Sequence, residues 1–168
     1  MTEEQKKEMM AHIQQSEYEA IRVYCFRLVH DYALAEEFTQ ETFLRFLEYI
    51  NQKEVQNRRA WLYRTSRNMI FDYFRRQSKK AEIWEYLSVF PKHEAFVSAA
   101  EMVEKREAEA ELLQNLSRLS HRHQEAVRLK FQERLKYDEI AEIMGETRST
   151  VGRLLSEAIH QLRVMMKD

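Results

Sequence analysis

Glycine and proline are almost absent from this chain, which has two glycines and one proline in 168 residues. Sheets whose strands are joined by tight turns need many more of both residues. Good helix formers such as Leu, Glu, Arg and Ala are plentiful instead. A hydrophobic content of 44% is enough for a packed core. The sequence therefore predicts an all-α fold with short polar connections.

The net charge of −1 hides a strongly uneven distribution. Residues 51–80 contain nine Lys or Arg against two Asp or Glu. Residues 30–50 have five acids against one Arg, and residues 81–110 have seven acids against three bases. A basic block between acidic segments indicates a polyanionic partner, although a solvated helix face would carry the same charges.

Hydrophobic spacing divides the chain into two helical parts. Apolar residues recur every three or four positions over residues 13–29, 33–50 and 58–77, and again after residue 110. The intervening stretch is acidic, holds Pro91 and lacks a clean period. We predict an N-terminal helical bundle and a C-terminal helix-turn-helix domain joined by an acidic, partly helical linker. The predicted boundaries are residues 10–80, 81–110 and 111–168.

The segment from Tyr137 to Val151 has the spacing of a helix-turn-helix. Ala141 supplies the small residue where two helices cross, and Gly145 suits the left-handed turn between them. Thr147 is a predicted N-cap for the second helix, and Val151 returns an apolar side chain to the first. In such a unit the second helix enters the DNA major groove by its N-terminal end. A hairpin with a coincidental glycine is the alternative, which the scarcity of glycine disfavours.

Residues 58–76 interleave aromatic and cationic side chains. Cations neutralise phosphates, exposed rings stack on unpaired bases, and Asn68 carries an amide that can read base edges. Helical spacing turns most of these rings inward, so we assign Trp61, Ile70 and Phe74 to the core. The spacing does not decide whether Tyr63 and Phe71 belong to the core or are exposed.

Other features bear on location and chemistry. Cys25 is the only cysteine, so no disulfide can form within the chain, which suits a reducing compartment. Residues 1–10 are too polar for a signal peptide, and no apolar run approaches the ~18 residues that span a bilayer. We therefore expect a cytoplasmic protein without direct membrane insertion.

The sequence gives little support for an enzyme. It has no glycine-rich phosphate loop, and its six histidines form no metal-binding pattern. His121 and His123 are best interpreted as surface-loop residues. We expect no catalytic residues, no cofactor and no metal.

Four segments resemble the extracytoplasmic-function subfamily of sigma-70-type RNA polymerase sigma factors. Residues 35–44 resemble the family's AEDLVQETFLR segment, and residues 59–68 are similar to its RAWLYRIARN segment. Residues 72–76 resemble its DxxRR end, and residues 135–145 its LSYEEIAEILG segment. The order and spacing also agree, over about residues 17–163. Each match alone is weak to moderate, whereas the joint match is specific.

The resemblance implies a role for each part. The clamp helices of the polymerase β′ subunit would bind Glu36, Glu37, Gln40 and Glu41. The melted −10 strand would contact Arg64, Arg67, Asn68, Arg75, Arg76 and Lys79, and residues 51–57 would capture a flipped base. The −35 duplex would contact Thr147, Arg148, Ser149, Thr150, Gly152 and Arg153. The linker would run through the polymerase toward the RNA exit channel. The β flap and an anti-sigma factor are further implied partners.

The second helix of the helix-turn-helix departs from the family pattern. Gly152 stands where a lysine is usual, and Leu154 and Glu157 stand where arginines are usual. Each lost phosphate contact lowers the salt slope of binding by about 0.9, so we expect weak −35 binding. The turn at residues 119–123 also lacks the family's proline.

Two other functions fit part of the sequence. A helix-turn-helix regulator could bind duplex operators as a dimer without being a polymerase subunit, but it has no reason to contain the segment from Glu36 to Leu44. A sigma-like interaction module without promoter activity would explain the base-poor second helix.

Overall fold

A computed structural model describes residues 2–77 and 99–167, and for residues 99–106 only the helical backbone. Regular structure in these ranges is helical throughout, which confirms the all-α prediction. The N-terminal helices are α1 (Glu3–Ser16), α2 (Tyr18–Val29), α3 (Tyr32–Ile50) and α4 (Arg58–Gln77). The C-terminal elements are α5 (Ala99–Ser117), α6 (His121–Val127), a π-helical turn (Arg128–Gln132), α7 (Tyr137–Met144) and α8 (Arg148–Met166).

The first predicted helix is two helices. The apolar spacing predicts one helix over residues 13–29, whereas α1 ends at Ser16 and α2 begins at Tyr18. α1 starts at a capping box, in which the Gln5 amide donates to the Thr2 hydroxyl at 3.2 Å and the Thr2 amide donates to Gln5 Oε1 at 2.9 Å. This T-x-x-Q pattern, within the polar residues 1–10, is the sequence signal of that helix start.

Helices α2, α3 and α4 pack against one another around the N-terminal core. Side chain oxygens cap two of these helices: Asp31 Oδ1 accepts from the Leu34 amide, and Asn57 Oδ1 from the Ala60 amide, each at 3.0 Å. Core positions on α4 agree with the predicted spine for Ile70 and Phe74, which are buried. The largest buried side chains of the bundle are Tyr24, Tyr63, Phe46, Ile13, Ile21, Leu62 and Ile70.

Cys25 is fully enclosed in this core, and burial raises the pKa of its thiol to about 12. Alkylation requires the thiolate, so we expect Cys25 in the folded chain to react with iodoacetamide about a thousandfold more slowly than a free cysteine. Mass spectrometry of a labelling time course measures this rate, with the denatured chain as the fully reactive control. Fast labelling under native conditions would contradict the buried position.

The last part of the predicted linker, residues 81–110, is helical. α5 starts at Ala99, inside the predicted linker. The predicted boundary at residue 80 lies outside the described residues, as do linker residues 81–98. His121 and His123 lie in the first turn of α6 rather than in a loop, because Ser120 caps that helix and accepts from the His123 amide at 3.2 Å. Ser120 thus begins the helix without the family's proline.

The helix-turn-helix has the predicted geometry. Gly145 joins α7 to α8 with a φ of 68°, in the left-handed region. Thr147 caps α8, and its hydroxyl accepts from the Thr150 amide at 3.1 Å. The buried residues Ile140, Ile143 and Val151 pack within the interface of α7 and α8.

The two domains contact each other through α4, which packs against α7 as well as against α2 and α3. No helix within residues 2–77 and 99–167 is long and apolar enough to cross a membrane. The same ranges contain no group of three His, Cys, Asp or Glu side chains placed to hold a metal ion.

Candidate polymerase and nucleic-acid interfaces

The four acidic and amide residues predicted to bind polymerase lie together on α3. Glu37, Gln40 and Glu41 are exposed, and Glu36 is half-buried. Glu36 accepts hydrogen bonds from the Tyr18 hydroxyl and, at 3.2 Å, from Gln40 Nε2. Burial, followed by the hydrogen bond to Glu36, raises the pKa of Tyr18 to about 12. Tyr18 therefore remains a hydrogen-bond donor at neutral pH and holds Glu36 in place.

Apolar side chains continue the same face of α3. Leu44 is 58% exposed and Leu47 is 37% exposed. Together with Gln40 they line a shallow groove that Met10 and Gln14 of α1 complete. An exposed apolar patch beside fixed polar groups is characteristic of a protein-binding surface. Leu47 fits the apolar period of the core positions, but Leu44 follows Gln40 by four residues, so helical spacing places it on the exposed face.

The exposed part of the basic helix adjoins that acidic face. A groove of about 970 Å³ between α3 and α4 is lined on one side by Glu37 and Glu41, and on the other by Asn68, Arg75 and Arg76. Arg76 is paired with Asp72 at 3.0 Å, but both side chains are more than half exposed. An exposed pair of this kind contributes little stability and can exchange for a phosphate. Arg64 is also exposed, and Lys79 lies outside the described residues.

Arg67 differs from the other cations of α4. Its guanidinium donates to Glu125 of α6 through Nε at 2.6 Å and Nη2 at 3.2 Å. It also lies 4.3 Å from the centroid of the Phe71 ring and donates to Asn68 Oδ1 at 3.0 Å. Burial lowers the pKa of Arg67, but the Glu125 carboxylate outweighs this effect and raises it. Most of the predicted DNA-binding cations therefore face solvent, whereas Arg67 contacts the C-terminal domain.

The connection between α3 and α4, predicted to capture a flipped base, is mostly exposed. Residues 51–54 are exposed, whereas Val55 packs against the core. Beside it, the rings of Tyr49 and Trp61 lie 5.3 Å apart. Trp61 is half-buried, so it is less enclosed than its assignment to the core implies.

The exposed face of α8 is only weakly cationic. Arg148 lies 3.5 Å from Asp138, and Arg153 donates to Glu157 at 2.6 Å. The hydrogen bond from Arg153 lowers the pKa of Glu157. Ser149 is exposed, while Thr150 contributes to the cap. Both arginines thus have acidic partners within the chain, which agrees with the expectation of weak duplex binding.

Gly152 has no steric requirement in the folded chain. A Cβ at this position would lie 3.7 Å from the Tyr137 ring, an ordinary van der Waals contact. Because glycine inside a helix costs up to ~1 kcal/mol relative to alanine, we expect Gly152→Ala to raise the melting temperature. Loss of duplex binding in the stabilised variant would assign Gly152 to close backbone approach to DNA. A lower melting temperature would contradict this structural prediction.

Sequence reasoning missed the groups that join the domains: Arg27, Arg59, Glu125, Glu133 and Glu139. They are scattered from α2 to α7, and neither charge runs nor helical period indicated that they meet. Glu133 directly follows the π-helical turn, whose geometry the sequence does not reveal.

Two protein families match separate parts of the chain. Residues 14–80 match sigma-70 region 2, and residues 115–164 match sigma-70 region 4. The chain is 31% identical to the ECF RNA polymerase sigma factor BldN of Streptomyces coelicolor, over 86% of this chain but only 55% of BldN. It is 30% identical to the ECF RNA polymerase sigma factor SigM of Bacillus subtilis, over 85% of this chain and 87% of SigM.

Among solved structures, the fold is similar to that of the sigma factor RpoE from Bartonella quintana. The TM-score is 0.66 at 20% identity, and the match covers 96% of this chain and 98% of RpoE. The region 2 match falls in the N-terminal helical domain, and the region 4 match falls in the C-terminal one. With the similarity to nearly all of SigM, these matches show that the chain belongs to the extracytoplasmic-function family of RNA polymerase sigma factors.

Proposed function

We propose that this sigma factor binds core RNA polymerase through the acidic and apolar face of α3 and holds melted promoter DNA along the exposed cations of α4. The observation that carries this proposal is the shared groove of Glu37 and Glu41 with Asn68, Arg75 and Arg76. One partner assembly can meet both surfaces, because they border the same groove. The negative side suits a protein with basic helices, and the positive side suits separated DNA strands.

The helix-turn-helix supplies a separate, weaker contact with duplex DNA in this proposal. The N-terminal end of α8 is exposed and properly capped, so it can enter a major groove. Arg148 and Arg153 would have to leave their acidic partners to contact phosphates or guanines. We therefore propose that −35 binding is effective only when α3 is held on the polymerase.

We also propose that an anti-sigma factor regulates this chain in the cytoplasm, where the polymerase and the promoter lie. RpoE from Bartonella quintana was solved in complex with the anti-sigma factor NepR. The proposed role consists of binding and positioning, with the polymerase carrying out the chemistry.

Gel filtration followed by transcript sequencing tests the function. The chain should co-elute with core polymerase, and sequencing of the transcripts made by the mixture should return a defined set of start sites. Co-elution without specific transcripts would favour a sigma-like module without promoter activity. Binding to duplex DNA without co-elution would instead favour an operator-binding regulator.

A further inference from the structure

A chain of hydrogen bonds links α6 to the exposed face of α8. The Glu157 carboxylate accepts from Arg153 Nη1 at 2.6 Å through Oε1, and its second oxygen, Oε2, lies 3.3 Å from His123 Nε2. The Ser120 hydroxyl, which caps α6, is hydrogen-bonded to His123 Nδ1. One carboxylate is thus shared between a guanidinium on α8 and an imidazole on the neighbouring helix.

The two partners of Glu157 differ in exposure. The Arg153 side chain is 58% exposed, whereas the His123 side chain is 14% exposed. Arg153 can therefore move away from its helix, while Ser120 and the packing of α6 against α8 hold the imidazole in place. When Arg153 leaves for DNA, His123 is the partner that stays with the carboxylate.

His123 is placed to hold Glu157 in either of its charge states. With the proton on Nε2, a neutral His123 donates to Glu157 and accepts from Ser120 at Nδ1. Imidazoles take up a proton near neutral pH. Protonation at Nδ1 makes that nitrogen a donor to Ser120 Oγ and converts the contact with Glu157 into an ion pair. Both hydrogen bonds persist, so the change of charge requires no rearrangement.

The other charged groups around α6 are engaged elsewhere. Arg122, next to His123 on α6, is paired with a carboxylate of the turn between α7 and α8. The π-helical turn, which also contacts α6, carries Arg128 and Lys130. Arg128 is buried and interacts electrostatically with Tyr24 of the N-terminal domain, and Lys130 lies over an aromatic ring of α7. The charges that face His123 from α8 are those of the shared carboxylate and its arginine.

We infer that His123 is a positioning residue for DNA binding by Arg153, in that it takes up a proton and holds Glu157 when Arg153 moves to the duplex. This inference rests on the proposed binding of duplex DNA by α8. Separating Arg153 from Glu157 costs less free energy when the carboxylate keeps a cationic partner. Protonation of His123 therefore favours the DNA-bound position of Arg153, and linkage requires that binding through Arg153 tightens as the pH falls.

The test compares the binding of the holoenzyme to two promoter fragments as the pH changes. One fragment is a promoter found by transcript sequencing, and the other is the same fragment with its −35 element scrambled. The ratio of the two affinities isolates the contact of α8, because polymerase and α4 contribute to both complexes. From about pH 8 to about pH 6 the wild-type ratio should rise, by up to about tenfold per pH unit for the uptake of one proton. Equilibrium titration of fluorescently labelled fragments measures both affinities.

Three single substitutions assign the effect. His123→Gln keeps an amide that can donate to Glu157 but cannot take up a proton, so its ratio should not change with pH. Glu157→Gln removes the carboxylate and releases Arg153 at every pH, so its ratio should also be independent of pH. His160→Gln removes an exposed imidazole one turn beyond Glu157 on α8 and should keep the wild-type pH profile. Circular dichroism checks that each variant keeps its helices.

The outcomes separate this inference from the function on which it rests. A wild-type ratio above one that does not change with pH would overturn the inference and leave the −35 role of α8 intact. An unaltered pH profile in His123→Gln would also overturn it, because another group would then take up the proton. A wild-type ratio near one at every pH would instead overturn the −35 role of α8, and the inference with it.

Discussion

Replacing Arg75 and Arg76 by glutamate should abolish most open-complex formation while leaving polymerase binding nearly unchanged. Both side chains are exposed at the C-terminal end of α4, on the groove shared with α3. If each holds one phosphate of the single strand, the double variant loses about 1.4 from the salt slope of DNA binding, and the new carboxylates repel the strand. Permanganate footprinting on a promoter found by transcript sequencing measures the melted DNA.

A matched charge reversal controls for net charge. Arg118 and Arg163 are exposed in the C-terminal domain, and their double replacement by glutamate changes the total charge equally. We expect the control to keep most of its open-complex yield. Equal open-complex yields from both double variants would show that Arg75 and Arg76 do not bind the strand and only stabilise the last turn of α4 through the helix dipole.

Replacing Gln40 and Glu41 by alanine should weaken polymerase binding about 30-fold, if each truncation costs about 1 kcal/mol as important interface residues do. Both side chains are exposed, and Gln40 donates to Glu36 at 3.2 Å while Arg45 donates to Glu41 at 3.0 Å. Fold stability should therefore change by less than about 0.5 kcal/mol. Fluorescence titration with core polymerase measures the affinity.

The control removes the same two groups from a different helix. Gln114 and Glu111 of α5 are exposed, and their replacement by alanine should leave polymerase affinity unchanged. Wild-type affinity in the Gln40 and Glu41 variant would show that polymerase does not use this face of α3.

Local signals predicted the elements of this fold because each signal acts within a few residues. Gly145 predicted the turn of the helix-turn-helix, since few other residues adopt a φ of 68° without strain. Thr147 predicted the start of α8 through a bond that spans only three residues. The acidic residues of α3 were identified by the resemblance to the family's segment, not by helical period. Their binding roles remain predictions.

Contacts between distant residues were not predictable from the same signals. Arg67 looked like the other cations of its helix, and its pairing with Glu125 joins positions 58 residues apart in sequence. The sequence does not place Tyr63, because its ring suits either a core or a stacking platform. Its burial follows from the packing of α4 against two domains at once. Such choices depend on the relative placement of whole helices, which periodicity does not specify.

The hydrogen bond from Tyr18 of α2 fixes the position of Glu36 on the surface of α3. A flexible carboxylate loses rotational freedom when a partner immobilises it, and this loss weakens association. Glu36 has already lost that rotational freedom on folding, so it loses less entropy when a partner binds this surface. The lifetime of a complex formed on this surface would then depend on the Tyr18 phenol of the neighbouring helix. Loss of that phenol would shorten the residence time of the complex without removing any charge from the surface.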